Sequence, residues 1–217
     1  MNENSNVISF GVVDYFLQPG HAYYEMKRCY APVFASVTLD DHAGIYLTND
    51  TTRTIAGTVE VSLFHLVKNE RTRQMELPFT IEPDATTRLC TLDEWGQIRK
   101  EQIVCVRVLD KRRTLLAETI QPLDIERRLP YPQQVGLSMI ASADTDTLLL
   151  RCEHYARCVS LHGDGFDTLF DDNFFDLLPG ETKCIRVLPS PSSGVIYAET
   201  AYDQTIVSCQ WKKEKEK

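Results

Sequence analysis

The stretch Gln102–Leu123, QIVCVRVLDKRRTLLAETIQPL, decides the fold class. Ile103, Val104, Cys105 and Val106 are consecutive apolar residues. In an extended chain successive side chains point to opposite faces, so this run reads as a central strand covered on both sides. The charged break at Asp110–Arg113 is a turn, and LLAETIQP returns as the second arm of a hairpin.

The same reading extends outward in both directions. On the N-terminal side, VFASVTL and AGIYLTN are two short strands joined by DDHAG, and GTVEVSLFHL places Val59, Val61 and Leu63 on one face. FTIEPDATTRLCTL is a further extended segment interrupted by Pro83, and LDEWGQIR is a loop or a single helical turn. On the C-terminal side, DIERRLPYPQQ has two prolines, clustered charge and no apolar period, which marks an inter-domain linker. Strand patterns resume in GLSMIASA, TDTLLLRCE, HYARCVSLHG, NFFDLLPGETKCIRVL, GVIYAETA and TIVSCQW. Turn signals every 8–12 residues predict an all-β chain of two antiparallel, immunoglobulin-like sandwiches in tandem. The expected boundaries are 1–32 for an N-terminal segment with one short helix, 33–125 for the first sandwich and 126–134 for the linker. The second sandwich takes 135–212, and 213–217 is a charged tail.

The helix is GHAYYEMKRCYAP, residues 20–32. Tyr23, Met26 and Tyr30 recur at i, i+3 and i+7 as one apolar stripe, and Pro32 stops the helix. The stripe is expected to be covered by the first sandwich near Val33–Leu39 or by another molecule.

The chain has 217 residues, a formal net charge of −8 and a sequence pI near 5.2. Such a balance argues against a phosphate-binding surface, which rests on Lys and Arg. Seven cysteines, Cys29, Cys90, Cys105, Cys152, Cys158, Cys184 and Cys209, show no CxxC spacing, and an odd count leaves at least one unpaired within the chain. Cys105, Cys184 and Cys209 lie inside apolar runs and read as buried thiols. The five histidines show no i, i+4 pairing, and the acidic run Asp164–Asp176 lacks the spacing of a calcium loop, so no metal or other cofactor is expected. Glu94, Glu118 and Glu199 are carboxylates with no feature that pairs them, and no nucleophile elbow or phosphate loop is present. No catalytic residue is therefore assigned. Trp95, in a loop, and Tyr131 are the candidates for stacking on a sugar face, with Tyr155 and Tyr202 as further aromatics; Trp211, in phase with Val207 and Cys209, reads as core.

Two stretches carry a family resemblance. In VVDYFLQPGHAYYEMKRCYAPV, the residues Asp14, Tyr15, Pro19, Ala22, Tyr23, Tyr24, Lys27, Arg28, Ala31 and Pro32 resemble the end of the catalytic barrel in β-mannosidases of glycoside hydrolase family 2. In DNFFDLLPGETKCIRV, the residues Asp172, Asn173, Phe174, Phe175, Asp176, Leu177, Leu178, Pro179, Gly180 and Glu181 are similar to a signature of that family's C-terminal immunoglobulin-like domain. IYLTNDT is similar to a strand end of the domain between them. The resemblance implies the barrel's last helix followed by two sandwiches. It places the family's two catalytic glutamates in the barrel, on no residue of this chain.

On that reading the chain is a non-catalytic accessory region that braces a catalytic barrel, in cis or as a separate chain. Its DNFFDLLPGE residues are architectural. The alternatives are an autonomous carbohydrate-binding module and an immunoglobulin-like interaction module. Carbohydrate and self-association through Tyr23, Met26 and Tyr30 are the further partners considered; nucleic acid and membrane are not expected. The N-terminus lacks the pattern of a signal peptide. Its compartment is unassigned, with a periplasmic, secreted or lysosomal location following only from a signal on the parent.

Overall fold

Alternating apolar side chains form strands wherever one sheet face must be kept from water, and here they do so in nearly every described segment. The computed structural model describes residues 2–3, 11–14, 17–39, 43–92, 101–142, 145–164, 168–188 and 193–212. They divide into two compact units, residues 27–130 and residues 1–26 with 131–217. The chain opens with two short parallel strands, β1 (Asn2–Glu3) and β2 (Val13–Asp14), and one helix, α1 (His21–Cys29).

Unit 27–130 contains β3 (Val33–Thr38), β4 (Gly44–Asn49), β5 (Ile55–His65), β6 (Glu70–Ile81), β7 (Ala85–Thr91), β8 (Gln102–Asp110) and β9 (Leu115–Pro122). They form a three-stranded sheet β3-β4-β7 and a four-stranded sheet β6-β5-β8-β9, all antiparallel. The central position read for QIVCVRVLD is that of β8, whose Ile103, Val104 and Val106 are fully buried between β5 and β9. Val59, Val61 and Leu63 of β5 share the core with Ala35, Ile45 and Leu47. Gly57 sits where any Cβ would lie 1.9 Å from the Leu109 carbonyl oxygen, so only glycine lets β5 close against β8.

The first half of β6 has no counterpart in the sequence reading. Residues 70–76 of it are almost wholly exposed and include Glu70, Arg71, Arg73 and Glu76. The strand lies at the sheet edge, so it needs no apolar face, and Pro78 is tolerated because one side of an edge strand goes unpaired.

The other unit carries β10 (Ser138–Ser142), β11 (Thr147–Arg151), β12 (Ala156–Asp164), β13 (Leu169–Phe170), β14 (Phe175–Leu177), β15 (Lys183–Leu188), β16 (Ser193–Glu199) and β17 (Val207–Lys212). Their sheets are β10-β11-β15-β13 and β14-β12-β16-β17. Leu148, Leu150, Val159, Ile185, Ile196 and Trp211 fill the space between them. Trp211 is thus core, in phase with the partly buried Val207 and Cys209 that pack against it.

Cys184 departs from expectation. Alternation along β15 buries Ile185 and Val187 and turns Cys184 outward, so this thiol is exposed. Cys105 is buried, Cys209 is half-buried, and all seven cysteines are free. Segment 126–134 also differs from an unstructured linker. It holds a 3-10 turn at Glu126–Arg128 and buries both Leu129 and Tyr131.

The helix presents a different face from the one its spacing suggests. Tyr24 is its one buried residue, while Tyr23, Met26 and Tyr30 are 39%, 43% and 79% exposed. Tyr24 is covered by the second sandwich: residues 1–26 belong to the same unit as 131–217, and its hydroxyl bonds to Phe170. Only one turn of α1 is pressed against protein, and that turn selects the tyrosine whose hydroxyl finds an acceptor.

Candidate functional site

The two sequence stretches singled out above lie about 150 residues apart and meet in space. The first begins as a tight loop. Asp14 N–H donates to the Gln18 carbonyl at 3.0 Å, Leu17 N–H to the Asp14 carbonyl at 3.1 Å, and Gln18 N–H to Asp14 Oδ1 at 2.8 Å. Gly20 N–H closes on the Val12 carbonyl at 3.1 Å. Leu17 takes a left-handed φ of 63° to complete the turn and exposes 65% of its surface. Pro19 and Gly20 then deliver the chain into α1, whose last turn carries Lys27 and Arg28 at the negative end of the helix dipole.

The second stretch is held by its own acidic and amide side chains. Asp171 accepts from Arg186 N–H at 2.7 Å and from Arg186 Nε at 3.0 Å, and Asp172 lies 2.8 Å from Lys183 Nζ. Asn173, 4% exposed, pairs its side chain with the backbone of β12, accepting from Leu161 N–H at 2.8 Å and donating to the Leu161 carbonyl at 3.0 Å. An asparagine amide carries the same donor and acceptor as a peptide unit, so it continues the ladder where β14 and β12 slip register. Phe174 then adopts φ 53°, which swings Phe175 into the core.

Asp176 is the hub of this stretch. One of its oxygens accepts from Tyr155 OH at 2.6 Å and from Arg157 Nη1 at 2.6 Å, and the other from Cys158 N–H at 2.9 Å. Cys158 has φ 52°, and the carboxylate holds that strained bulge in place. Burial pushes the Tyr155 phenol well above its ordinary range, with the Asp176 charge adding to the effect. Leu178 and Glu181 then close a turn through Glu181 N–H to the Leu178 carbonyl at 3.3 Å, with Pro179 and Gly180 at its corners and Gly180 at φ 77°.

The joint between the stretches is aromatic. Tyr24 OH donates to the Phe170 carbonyl at 3.1 Å, and its ring lies 5.9 Å from Phe174. His21 stacks on Phe174 at 5.3 Å. Burial raises the Tyr24 phenol to about 12.

Beside the joint is a cavity of about 410 Å³. Asp14, Gln18 and Tyr24 line it from the first stretch, and Leu161, His162, Thr168, Phe170, Asn173 and Phe174 from the sandwich. Asp14 Oδ2 and the Gln18 side-chain amide have no hydrogen-bond partner among the described residues. Thr168 is 6% exposed and its Oγ1 is buried without a partner.

The other sequence candidates fall elsewhere. Trp95 and Glu94 lie outside the described residues. Tyr131 is not the exposed platform that sugar stacking needs. It is 7% exposed and stacked on Tyr202 at 4.4 Å and Tyr155 at 6.1 Å, so the chain's own aromatics occupy its ring. Glu118 is paired with Arg107 at 2.6 Å, and Glu199 lies 3.2 Å from His162. No group of three or more metal-binding side chains exists among the described residues, nor a helix long and apolar enough to cross a membrane. Sequence reasoning missed the cavity and the Asp176 hub, although Asp176 stood inside a quoted motif.

Comparison with known proteins gives matches over both units. Residues 41–122 match a mannosidase Ig/CBM-like domain, and residues 131–200 match the Ig-fold domain of mannosidases. Beta-mannosidase B of Thermothelomyces thermophilus is 22% identical over 209 residues, covering 83% of this chain. The chain spans 24% of that relative's length. Among solved structures, the β-D-mannosidase from Dictyoglomus thermophilum superposes with a TM-score of 0.75 at 19% identity, over 95% of this chain and 26% of that one. The Amycolatopsis orientalis exo-chitosanase CsxA gives 0.71 at 14% identity, over 92% and 29%. At these identities the superpositions establish the fold.

Proposed function

We propose that this chain, an immunoglobulin-domain region of the glycoside hydrolase family 2 β-mannosidase type, acts as a brace for a catalytic barrel and carries out no hydrolysis itself. The observation that carries this reading is the mounting of α1. Tyr24 fixes the helix to the second sandwich through the Phe170 carbonyl, and Tyr23, Met26, Tyr30 and Leu17 are left exposed. Exposed aromatic and apolar residues of this kind mark an interaction surface. The relatives have about three-quarters of their length beyond the region this chain matches, which supplies a partner of the right kind. Glu118 and Glu199, the described candidate carboxylates, belong to different units and are each engaged with a neighbouring cation or imidazole, so neither is poised as half of a glycosidase pair.

The test uses a family 2 β-mannosidase barrel expressed without its C-terminal sandwiches. Adding this chain is expected to raise the barrel's melting temperature and its activity on an aryl β-mannoside, while the chain alone shows none. A Tyr23→Ser/Met26→Ser/Tyr30→Ser variant is expected to lose that effect. Turnover by the chain alone, or a dimer of this chain that dissociates in the same variant, would replace the bracing role.

A further inference from the structure

We infer that the cavity lined in part by Asp14, Gln18 and Tyr24 and in part by the second sandwich binds a small, neutral, polyhydroxylated molecule of monosaccharide size. Its volume of about 410 Å³ lies within the range of small-molecule sites. Some polar groups in the wall are committed and others are not. Asp14 Oδ1 is used by the turn, whereas Oδ2 has no hydrogen-bond partner among the described residues and can accept. The Gln18 side-chain amide, four residues on, likewise has none among the described residues and can both accept and donate. A carboxylate oxygen and a primary amide lining one cavity suit a ligand rich in hydroxyl groups, each of which can donate to one partner and accept from another. Leu161 and Phe170 also line the cavity and are suited to the C–H face of a sugar ring.

The charge of the wall narrows the ligand class. Among the described residues no Lys or Arg lines the cavity, Asp14 does, and Glu199 stands 3.2 Å from the lining His162. An anion entering would meet carboxylates without a compensating cation, so a neutral ligand is favoured over an acidic one. The inference uses neither Trp95 nor Tyr131 and is independent of the bracing role: its test needs the chain alone.

The whole chain is titrated with D-mannose, D-glucose and, as the charged comparator, D-glucuronate, followed by calorimetry and ligand-observed NMR. Saturable binding of at least one neutral hexose is expected, with glucuronate weaker by about tenfold or more. Asp14→Asn keeps an oxygen for Gln18 N–H but removes the charge, and Gln18→Ala removes only an uncommitted amide. Each is expected to weaken the hexose by about five- to tenfold with the melting temperature unchanged. Absence of saturable binding by either hexose overturns the inference. So does glucuronate binding as well as the hexoses, or an affinity that neither Asp14→Asn nor Gln18→Ala alters.

Discussion

The Tyr24 hydroxyl donates to the Phe170 carbonyl at 3.1 Å across 146 residues of sequence, and this bond fastens the N-terminal helix to the second sandwich. Tyr24→Ala removes a side chain that is 2% exposed and is expected to cost about 3–5 kcal/mol, whereas Tyr24→Phe costs only about 1 kcal/mol. Tyr30→Ser should leave the melt within about 0.5 kcal/mol, because that residue is 79% exposed. Thermal and urea melts of the three variants decide it.

The same phenol sets an alkaline limit. Its folded pKa of about 12 lies above the unfolded value near 10, so its stabilisation is complete below about pH 10 and fades as pH rises towards 12. Tyr155, also raised, contributes in the same direction. Melting temperatures followed from pH 9 to 12 should fall less steeply in Tyr24→Phe than in the parent chain.

Asp176→Ala is expected to be the most damaging single change in the DNFFDLLPGE stretch. It removes the shared acceptor of the buried Tyr155 hydroxyl, the Arg157 guanidinium and the Cys158 N–H, a loss of about 3–5 kcal/mol. Asp176→Asn keeps one acceptor oxygen and loses the charge, and should fall between the two. Denaturant midpoints measure both, and a loss under about 1 kcal/mol for the alanine variant would rule out the hub.

Acid sensitivity is expected at Asp203. Burial works to raise its pKa, but the Val135 and Thr205 backbone N–H groups, each 2.8 Å away, hold it below the ordinary carboxylate value. A depressed folded pKa gives stability that is present above about pH 4 and lost as pH falls through the folded value. Asp203→Asn should be less stable at neutral pH and show a flatter acid limb, which melts between pH 2 and 7 resolve.

We propose that limited proteolysis first cuts within residues 124–128. Ile125 is 52% exposed there, whereas Leu129 and Tyr131 are buried. Fragments mapped by mass spectrometry with ends at 129–134 would place the boundary instead within the buried part.

Strands whose alternation serves a core were legible: Val59, Val61 and Leu63, the central strand around Val104, and Trp211 all lie where their periodicity puts them. The first half of the edge strand, residues 70–76, was not, because a stretch exposed on nearly all of its surface has no reason to alternate. The helix face was misread for a related reason. Adjacent tyrosines at 23 and 24 leave the inward one undecided by spacing, and the choice fell to a single acceptor on Phe170. Tyr131 looked like a surface aromatic because the rings that cover it, Tyr155 and Tyr202, are 24 and 71 residues away. The cavity required loop 12–20 and residues 161–174 to be adjacent, a relation that no local pattern encodes.

The polar edge strand has a consequence for the chain's solution behaviour. An uncovered sheet edge is a template on which another molecule's strand can grow, and stacked edges lead to insoluble fibres. Along β6, Glu70, Arg71, Arg73 and Glu76 would force charges against an incoming strand, and Pro78 withholds an N–H from it. Neutralising that row, for example by Arg71→Val with Arg73→Val and Pro78→Val, would leave the sandwich core intact while removing its protection against aggregation.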